Sequence, residues 1–294
     1  MSNLERVAIL GASGWVGRTA CNWLSQLGTQ VLMFAASGRT ESIGHRDYRF
    51  ETFDLRKIQA FKPTTVIDAA FLTKEKINTI PLRAYVSSNI SLIEQGLELQ
   101  RLPSVEKFIG ISSGAAVPHL NLESPNLSLD PYGSLKATYE KRLIENSELK
   151  AKTTIGRIWS VSGSLVTKPS LFAFSRLIQQ ALNGHIEIQA THRVWRRYVD
   201  LEDFLKVITL SIPGESRVID SGGTKVELQQ LSELIFAELG LELSIGRTLR
   251  PGSPDDMYFS DESTWLRAIK ELEFVPLTLE GQIVEVAKSL QTRS

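Results

Sequence analysis

The chain has 294 residues, 42% hydrophobic and 22% charged, and its 33 Lys and Arg balance 33 Asp and Glu. That length holds one large α/β domain or two joined lobes, and the neutral balance excludes a generic affinity for nucleic acid or an anionic membrane, which needs a basic excess. One cysteine, Cys21, excludes an intramolecular disulfide and a cysteine zinc cluster, and the four histidines (His45, His119, His185, His192) have no metal-ligand spacing, so no metal is expected.

Short apolar runs alternate with longer amphipathic ones over the first 160 residues. The apolar run Val7-Ala8-Ile9-Leu10 is too short for a secretory or membrane segment, which sets the expectation of a cytoplasmic protein. Strands are predicted at Arg6–Leu10, Gln30–Ala35, Tyr48–Phe53, Thr65–Ala69, Lys107–Ser112 and Thr153–Ile158. Helices are predicted between them, near Trp15–Leu27, Leu55–Phe61, Ile80–Leu99 and Pro131–Asn146. This alternation predicts an α/β fold: a doubly wound, Rossmann-like parallel sheet with helices on both faces. Beyond residue 163 the rhythm changes. A helix over Ser170–Leu182 leads into a polar, aromatic stretch, Thr191–Tyr198, then a βα unit over Arg217–Gly240 and the loop Arg250-Pro251-Gly252-Ser253-Pro254. An amphipathic helix near Leu279–Leu290 closes the chain. The expected division is a dinucleotide-binding domain of residues 1–163 plus about 195–222, and a smaller substrate-binding lobe of about 164–194 plus 223–294.

The first strand runs into Gly11-Ala12-Ser13-Gly14-Trp15-Val16-Gly17 and then a helix. Glycine serves where backbone turns sharply, approaches a pyrophosphate, or lets helix pack close on strand, and the helix N-terminus offers free N–H groups to phosphate. The strand–glycine–helix context makes this a dinucleotide-binding loop. The second strand ends Val31-Leu32-Met33-Phe34-Ala35-Ala36-Ser37-Gly38-Arg39, without the carboxylate that holds ribose hydroxyls in many NAD enzymes. With Ser37 and Arg39 following, NADP(H) is favoured and NAD(H) is the alternative, since a guanidinium bonds a 2′-phosphate; the competing reading of Arg39 is a solvated loop residue. Asp54 is an N-cap candidate for the next helix.

In Asp130-Pro131-Tyr132-Gly133-Ser134-Leu135-Lys136 an N-cap and an N1 proline precede a tyrosine and a lysine four apart on one helix face. An ammonium beside a phenol favours the phenolate, as proton transfer to or from a hydroxyl requires during hydride transfer.

Together, the GxxGxxG loop, Tyr132-x-x-x-Lys136 and Ile109-Gly110-Ile111-Ser112-Ser113-Gly114 resemble the extended branch of the short-chain dehydrogenase/reductase superfamily: NAD(P)-dependent nucleotide-sugar epimerases, dehydratases and reductases. The resemblance spans residues 5–290. It implies catalytic Ser113, Tyr132 and Lys136, with Ser112 in a backbone-bonding role. For the cofactor it implies Gly11, Ser13, Gly14, Trp15, Val16 and Gly17 at the phosphates, Asp54-Leu55 bordering the adenine, and Ala69, Ala70, Tyr132 and Lys136 further along. Arg196-Arg197-Tyr198-Val199-Asp200-Leu201-Glu202-Asp203 is similar to the family's substrate stretch, which implies Arg196 at the pyrophosphate of a nucleotide-diphosphate sugar; Arg250 resembles a second phosphate-binding arginine and Ser113 also touches substrate. The competing reading of both arginines is a surface ion pair. A homodimer is likewise an implication of the family. Asn89 resembles an asparagine preceding a long helix, and Glu140 a support of the helix bearing Lys136.

Two departures bear on substrate. Ala116-Val117-Pro118 stands where the family often has Val-Tyr-Gly, and Ser160 replaces a common Asn. Gly114-Ala115 replaces the Asp-Glu pair of the dehydratase pattern, which argues against a 4,6-dehydratase. The missing acid at Ala35 together with Arg39 favours an NADPH-dependent 4-ketoreductase over a 4-epimerase. A non-catalytic dinucleotide-binding regulator or scaffold is the further alternative, opposed by the retained Ser113, Tyr132 and Lys136.

Overall fold

A computed structural model describes residues 4–44, 46–122, 126–146, 151–211 and 217–292. His45, one of the four histidines considered above, lies outside the described residues.

In chain order the elements are β1 (Arg6–Leu10), α1 (Trp15–Gln26), β2 (Gln30–Phe34), β3 (Arg39–Ile43), β4 (Arg46–Phe50), α2 (Leu55–Phe61), β5 (Thr65–Asp68), α3 (Leu82–Gln100), β6 (Lys107–Ser113), α4 (Pro131–Glu145) and β7 (Lys152–Ile158). There follow β8 (Val161–Ser162), α5 (Ala173–Leu182), β9 (Ile186–Ile188), β10 (Val194–Asp200), α6 (Leu201–Leu210), β11 (Arg217–Asp220), β12 (Thr224–Glu227), α7 (Leu228–Glu238), β13 (Ile245–Arg247), β14 (Asp256–Tyr258), α8 (Ser263–Glu271) and α9 (Leu279–Gln291).

The chain divides into two compact units, Met1–Ile158 with Ile208–Ile219, and Trp159–Val207 with Asp220–Ser294. In the first, a six-stranded sheet has the order β11-β7-β6-β5-β1-β2. The pairings of β1 with β2 and β5, of β5 with β6, and of β6 with β7 are all parallel. This is the expected Rossmann-like sheet, and the strand order reverses at β1. In open α/β sheets such a reversal leaves a crevice at the carboxyl ends of the strands, where ligands bind. A core of Ala8, Leu10, Val66, Phe108 and Ile155 from the sheet packs with Ile58, Ile93, Leu97 and Leu143 from α2, α3 and α4. The returning segment Ile208–Ile219 is anchored by Lys107 at the start of β6, whose Nζ donates to the carbonyls of Thr209 (2.6 Å), in the last turn of α6, and Ser211 (3.3 Å), just past it. Burial pushes that ammonium down to about 8.

The predicted third strand, Tyr48–Phe53, is different. Only Arg46–Phe50 is strand, and it pairs antiparallel with β3 as a hairpin that the sequence reading lacked. The hairpin meets the main sheet at a single bridge, Phe34 to Glu51. Both strands are polar and largely exposed, so they carry too little apolar surface to enter a sheet covered on two faces.

In the second unit, α5, α7 and α9 enclose a core of Leu177, Ile178, Leu231, Ile235, Ile283 and Val286, closed by Tyr198 of β10 and Val226 of β12. The predicted helix over Ser170–Leu182 begins at Ala173, after a 3-10 turn at Pro169–Leu171. The stretch read as merely polar and aromatic is strand β10. It pairs with β12, β14 and β8, so residues 195–207, expected in the dinucleotide-binding domain, belong to the second unit.

Candidate active site

The glycine loop is built by exclusion of side chains. Gly11 has φ +70, and a Cβ there would stand 2.6 Å from the Ala69 carbonyl oxygen at the end of β5. A Cβ on Gly17 would lie 2.3 Å from the Gly11 oxygen. Gly14 is the N-cap of α1 and supplies no side-chain cap, and a helix start of this kind suits a phosphate. Beside the loop is a cavity of about 390 Å³ lined by Leu10, Gly11, Ser13, Gly14, Phe34, Ala35, Ala36, Thr52, Phe53, Ala69, Ala70, Phe71, Leu72, Leu92 and Gln95. Its apolar floor and amide-rich rim suit an adenosine and its phosphates. Trp15, Val16 and Gly17 lie in the first turn of α1 behind it.

Of the residues named for the cofactor, Gly11, Ser13, Gly14, Ala69 and Ala70 line this cavity, and Ser37, Arg39, Asp54 and Leu55 do not. Thr52 and Phe53, immediately before Asp54-Leu55, line it. Asp54 instead caps α2, accepting from the Lys57 N–H at 3.2 Å. A second cavity, of about 490 Å³, is lined by Gly38, Arg39, Thr40, Arg49, Phe50, Glu51, Thr52, Asp54 and Lys57 and shares Thr52 with the first. Arg39 is exposed there. Its guanidinium bonds the Glu41 carboxylate, donates to Ser37 Oγ at 2.9 Å, and lies 5.7 Å from the Phe50 ring. Glu41 also pairs with Arg18, and the two guanidinium groups hold its carboxyl below its usual range.

Asp130 accepts from the Gly133 N–H at 3.1 Å, and with Pro131 it starts α4, which carries Tyr132 and Lys136. The ring of Phe71, which the sequence reading did not single out, lies between these side chains. It is 5.8 Å edge-on from the Tyr132 ring, and the Lys136 ammonium is 3.8 Å from its centroid. Lys136 is 5% exposed and donates to the Ile111 carbonyl at 2.8 Å. Burial pushes its ammonium down to about 8, against attraction from Asp68 and Glu140.

Ser113 ends β6, and its Oγ accepts from the Ala115 N–H at 3.2 Å, which leaves the hydroxyl proton to donate. Ser112 points elsewhere and has a carboxylate partner rather than the expected backbone one: its hydroxyl donates to Glu140. Glu140, fully buried, also accepts from the Arg157 guanidinium, from Nε at 3.0 Å on each oxygen and from Nη2 at 2.7 Å. It thus ties α4 to β6 and β7. Asn89 lies inside α3 rather than before it, where its amide accepts from the Leu72 N–H at 2.8 Å. His119 bonds Asp130 at 2.9 Å and lies 3.4 Å from Ser134, bracing the first turn of α4.

The arginines named for substrate belong to the second unit. Arg196 is half-buried, donates to the Asp256 carboxylate at 2.7 Å and lies 5.6 Å from the Tyr258 ring. Its neighbour Arg197 pairs with Glu262. Arg250 is exposed, and its backbone N–H bonds the Thr191 carbonyl at 2.8 Å. Among the described residues no group of His, Cys, Asp or Glu could hold a metal ion, and no helix is long and apolar enough to cross a membrane.

A Rossmann-like sheet, a glycine loop on a helix N-terminus and a Tyr-x-x-x-Lys helix at the carboxyl ends of the strands define a dinucleotide-dependent enzyme. The chain belongs to the NAD dependent epimerase/dehydratase family, whose profile matches residues 7–218. No curated protein matches it in sequence. Its fold is similar to that of UDP-N-acetylglucosamine 4-epimerase from Methanobrevibacter ruminantium in complex with UDP-N-acetylmuramic acid, at 21% identity, 99% of each chain and TM-score 0.75. UDP-glucose 4-epimerase from Thermotoga maritima with UDP-glucose matches at 19% identity over 98% of this chain and 99% of the other, TM-score 0.72. The Thermus thermophilus UDP-glucose 4-epimerase complex with NAD matches at 19% identity over 97% and 99%, TM-score 0.71.

Proposed function

We propose that the protein is an NAD(P)-dependent oxidoreductase acting at C4 of a nucleotide-linked sugar, in the first instance as an NADPH-dependent 4-ketoreductase. The observation that carries the redox reading is the grouping of Tyr132 and the buried Lys136 about Phe71, on the helix that follows Ser113. The cofactor fits on two counts: a loop whose glycines at 11 and 17 let backbone pack on backbone with no room for a Cβ, and the start of α1, with Gly14 as its N-cap, beside the cavity. Ser13 and the Gly11–Gly14 backbone would hold its phosphates, and the cavity lined by Phe34, Phe53, Ala69 and Leu92 would hold its adenosine.

When bound, the nicotinamide supplies or accepts the hydride. Tyr132 gives its phenolic proton to the oxygen of the reduced carbonyl. Lys136 lowers the cost of the resulting phenolate, and Ser113 donates its hydroxyl proton to the same oxygen and orients the carbonyl. In the second unit, Arg196 and Arg250 supply cations for a substrate diphosphate.

The ketoreductase reading rests on the absence of an acid at Ala35 and on the cluster of Arg39, Arg49 and Lys57 around the second cavity, which suits a 2′-phosphate. One observation favours the second reading, an NAD-using 4-epimerase: Arg39 is already bonded to Glu41, so a 2′-phosphate has to compete for it. The similar folds of UDP-sugar 4-epimerases point the same way. Purified protein offered NADPH or NADH with a UDP-linked 4-keto sugar should oxidise NADPH in proportion to substrate. Interconversion of UDP-glucose and UDP-galactose with no net change in the nicotinamide absorbance identifies the epimerase instead. Neither reaction with a panel of nucleotide sugars overturns both.

A further inference from the structure

Lys136 is a fully buried cation, and its immediate partners are neutral: the Ile111 carbonyl and the face of the Phe71 ring. An ammonium in such a place needs a counter-charge, because a buried cation without one loses its proton. Two carboxylates attract it, Glu140 from its own helix and Asp68 from the end of β5. Glu140 is already committed. Its two oxygens take the Arg157 guanidinium and the Ser112 hydroxyl, so its charge is matched by an arginine. Asp68 has no cation bonded to it. It is 2% exposed, and its oxygens accept only neutral donors: Oδ2 from the Tyr139 hydroxyl at 2.6 Å, and Oδ1 from the Ala70 N–H at 3.2 Å.

The surrounding chain is shaped to hold this carboxylate. A Cβ on Gly96 of α3 would come within 2.1 Å of Asp68 Oδ2, and a Cβ on Gly110 of β6 would come within 3.1 Å of the Tyr139 hydroxyl. Two glycines thus leave room for an acid and a phenol at the centre of an otherwise apolar core. Tyr139 lies three residues after Lys136, with the ammonium 5.6 Å from its ring. Carboxylate, phenol and ammonium therefore form one buried group, contributed by β5 and α4.

We propose that Asp68 is the counterion of Lys136, a positioning residue that acts on the reaction through the lysine, with Tyr139 fixing its carboxylate. This rests on the reading of Lys136 as catalytic. The directions of titration agree with it. Burial raises Asp68 to about 6, opposed by the Tyr139 bond and by Lys136, while burial brings Lys136 down to about 8. The pair is charged between those values. Below about 6 Asp68 takes a proton and the lysine loses its counterion; above about 8 the lysine itself becomes neutral. Tyr139 stays a neutral donor throughout, since burial and Asp68 hold its phenol well above the ordinary range.

The test is to titrate Lys136 directly, by NMR of the full chain carrying lysine labelled at Cε, with the resonance assigned by its loss in Lys136→Met. Asp68→Asn should move the Lys136 midpoint down by about 1–3 pH units, the effect of removing a close opposite charge. Tyr139→Phe, which keeps the ring and is the milder change if Asp68→Asn fails to fold, should raise the Asp68 midpoint and so move the acid-side step in the lysine titration upward from about 6. An unchanged Lys136 titration in either folded variant overturns the proposal. The NMR readout needs no turnover, so it separates the two claims. Shifted titrations in a protein inactive on every nucleotide sugar leave the ion pair standing and remove the proposed function. Catalysis with unshifted titrations does the reverse. Where turnover is present, its pH profile should narrow on the acid side in Tyr139→Phe.

Discussion

Two adjacent serines at the end of β6 show how much a single position decides. Ser112 is sealed against Glu140 and Arg157, whereas Ser113 turns its hydroxyl to the start of the next turn with its proton free to donate. The residues alone place the pair at the carboxyl end of a strand, and the choice of Ser113 over Ser112 came from the family resemblance, since one residue of register exchanges the two faces. Asp68 was less legible still. It falls inside the strand predicted over Thr65–Ala69, where nothing in the residues singles it out, and only the space at Gly96 and the Tyr139 hydroxyl show how its carboxylate is held. Tyr132→Phe keeps the ring against Phe71 and removes the transferable proton. Turnover should fall about 100- to 10,000-fold, the usual contribution of general acid–base catalysis, while cofactor affinity measured by titration stays near the parental value. Ser113→Ala should lower turnover and leave stability nearly intact. Ser112→Ala should do the opposite, because it strips a hydrogen bond from a buried carboxylate, at a cost of about 1–3 kcal/mol seen as a lower unfolding midpoint. Tyr132→Phe at the parental rate would remove the phenol from the mechanism.

Elements that are punctuated by backbone chemistry were readable, and those defined by pairing were not. The strand–glycine–helix start and the Asp130-Pro131 start of α4 announce themselves through glycine, N-cap and N1 proline. The β3–β4 hairpin does not: Arg39-Thr40-Glu41-Ser42-Ile43 and Arg46-Asp47-Tyr48-Arg49-Phe50 lack the apolar alternation of a covered strand, and only Tyr48–Phe53 reads as a strand there. Strand β10 was passed over for a similar reason, since Trp195-Arg196-Arg197-Tyr198 looks polar until lysine and arginine are seen lying over aromatic rings. The Lys225 ammonium is 5.0 Å from the Trp195 ring and the Arg197 guanidinium 5.6 Å from that of Phe259. The hairpin bears on cofactor choice, because it sets Arg39 and Arg49 around a cavity that shares Thr52 with the cavity beside the glycine loop. A 2′-phosphate bound there takes Arg39 from Glu41, so Glu41→Gln should strengthen NADPH binding. Arg39→Ala should weaken it about tenfold or more, as loss of a charge-assisted bond implies, with little effect on NADH. Equal NADPH and NADH affinities in the parent protein, unmoved by either substitution, mean that the hairpin plays no part in cofactor choice.

At the scale of the whole chain, the first unit carries the dinucleotide loop and the Tyr-Lys helix, and the second carries the arginines assigned to a diphosphate. A change of rhythm near residue 163 was visible in the sequence. The return of Ile208–Ile219 to the first unit was only roughly placed, because it depends on β11 joining β7 and on a buried lysine reaching two carbonyls, neither of which leaves a periodic trace. The division makes the substrate assignment separable from the redox chemistry. If Arg196 receives a diphosphate, it has to do so beside Asp256, which now holds its guanidinium at 2.7 Å. UDP alone should therefore compete with the nucleotide-sugar substrate, and free sugars should not. Arg196→Ala should raise the dissociation constant of UDP about ten- to hundredfold, the worth of one hydrogen bond to an ionised group, while cofactor titration stays unchanged. Asp256→Asn should act in the opposite direction, because it frees the guanidinium from a competing carboxylate and removes a negative charge from beside the phosphates. Calorimetry with UDP on the three proteins checks all of this without turnover. UDP binding that is indifferent to both substitutions places the nucleotide away from Arg196, and free sugars turned over as efficiently as nucleotide-linked ones remove the nucleotide from the substrate altogether.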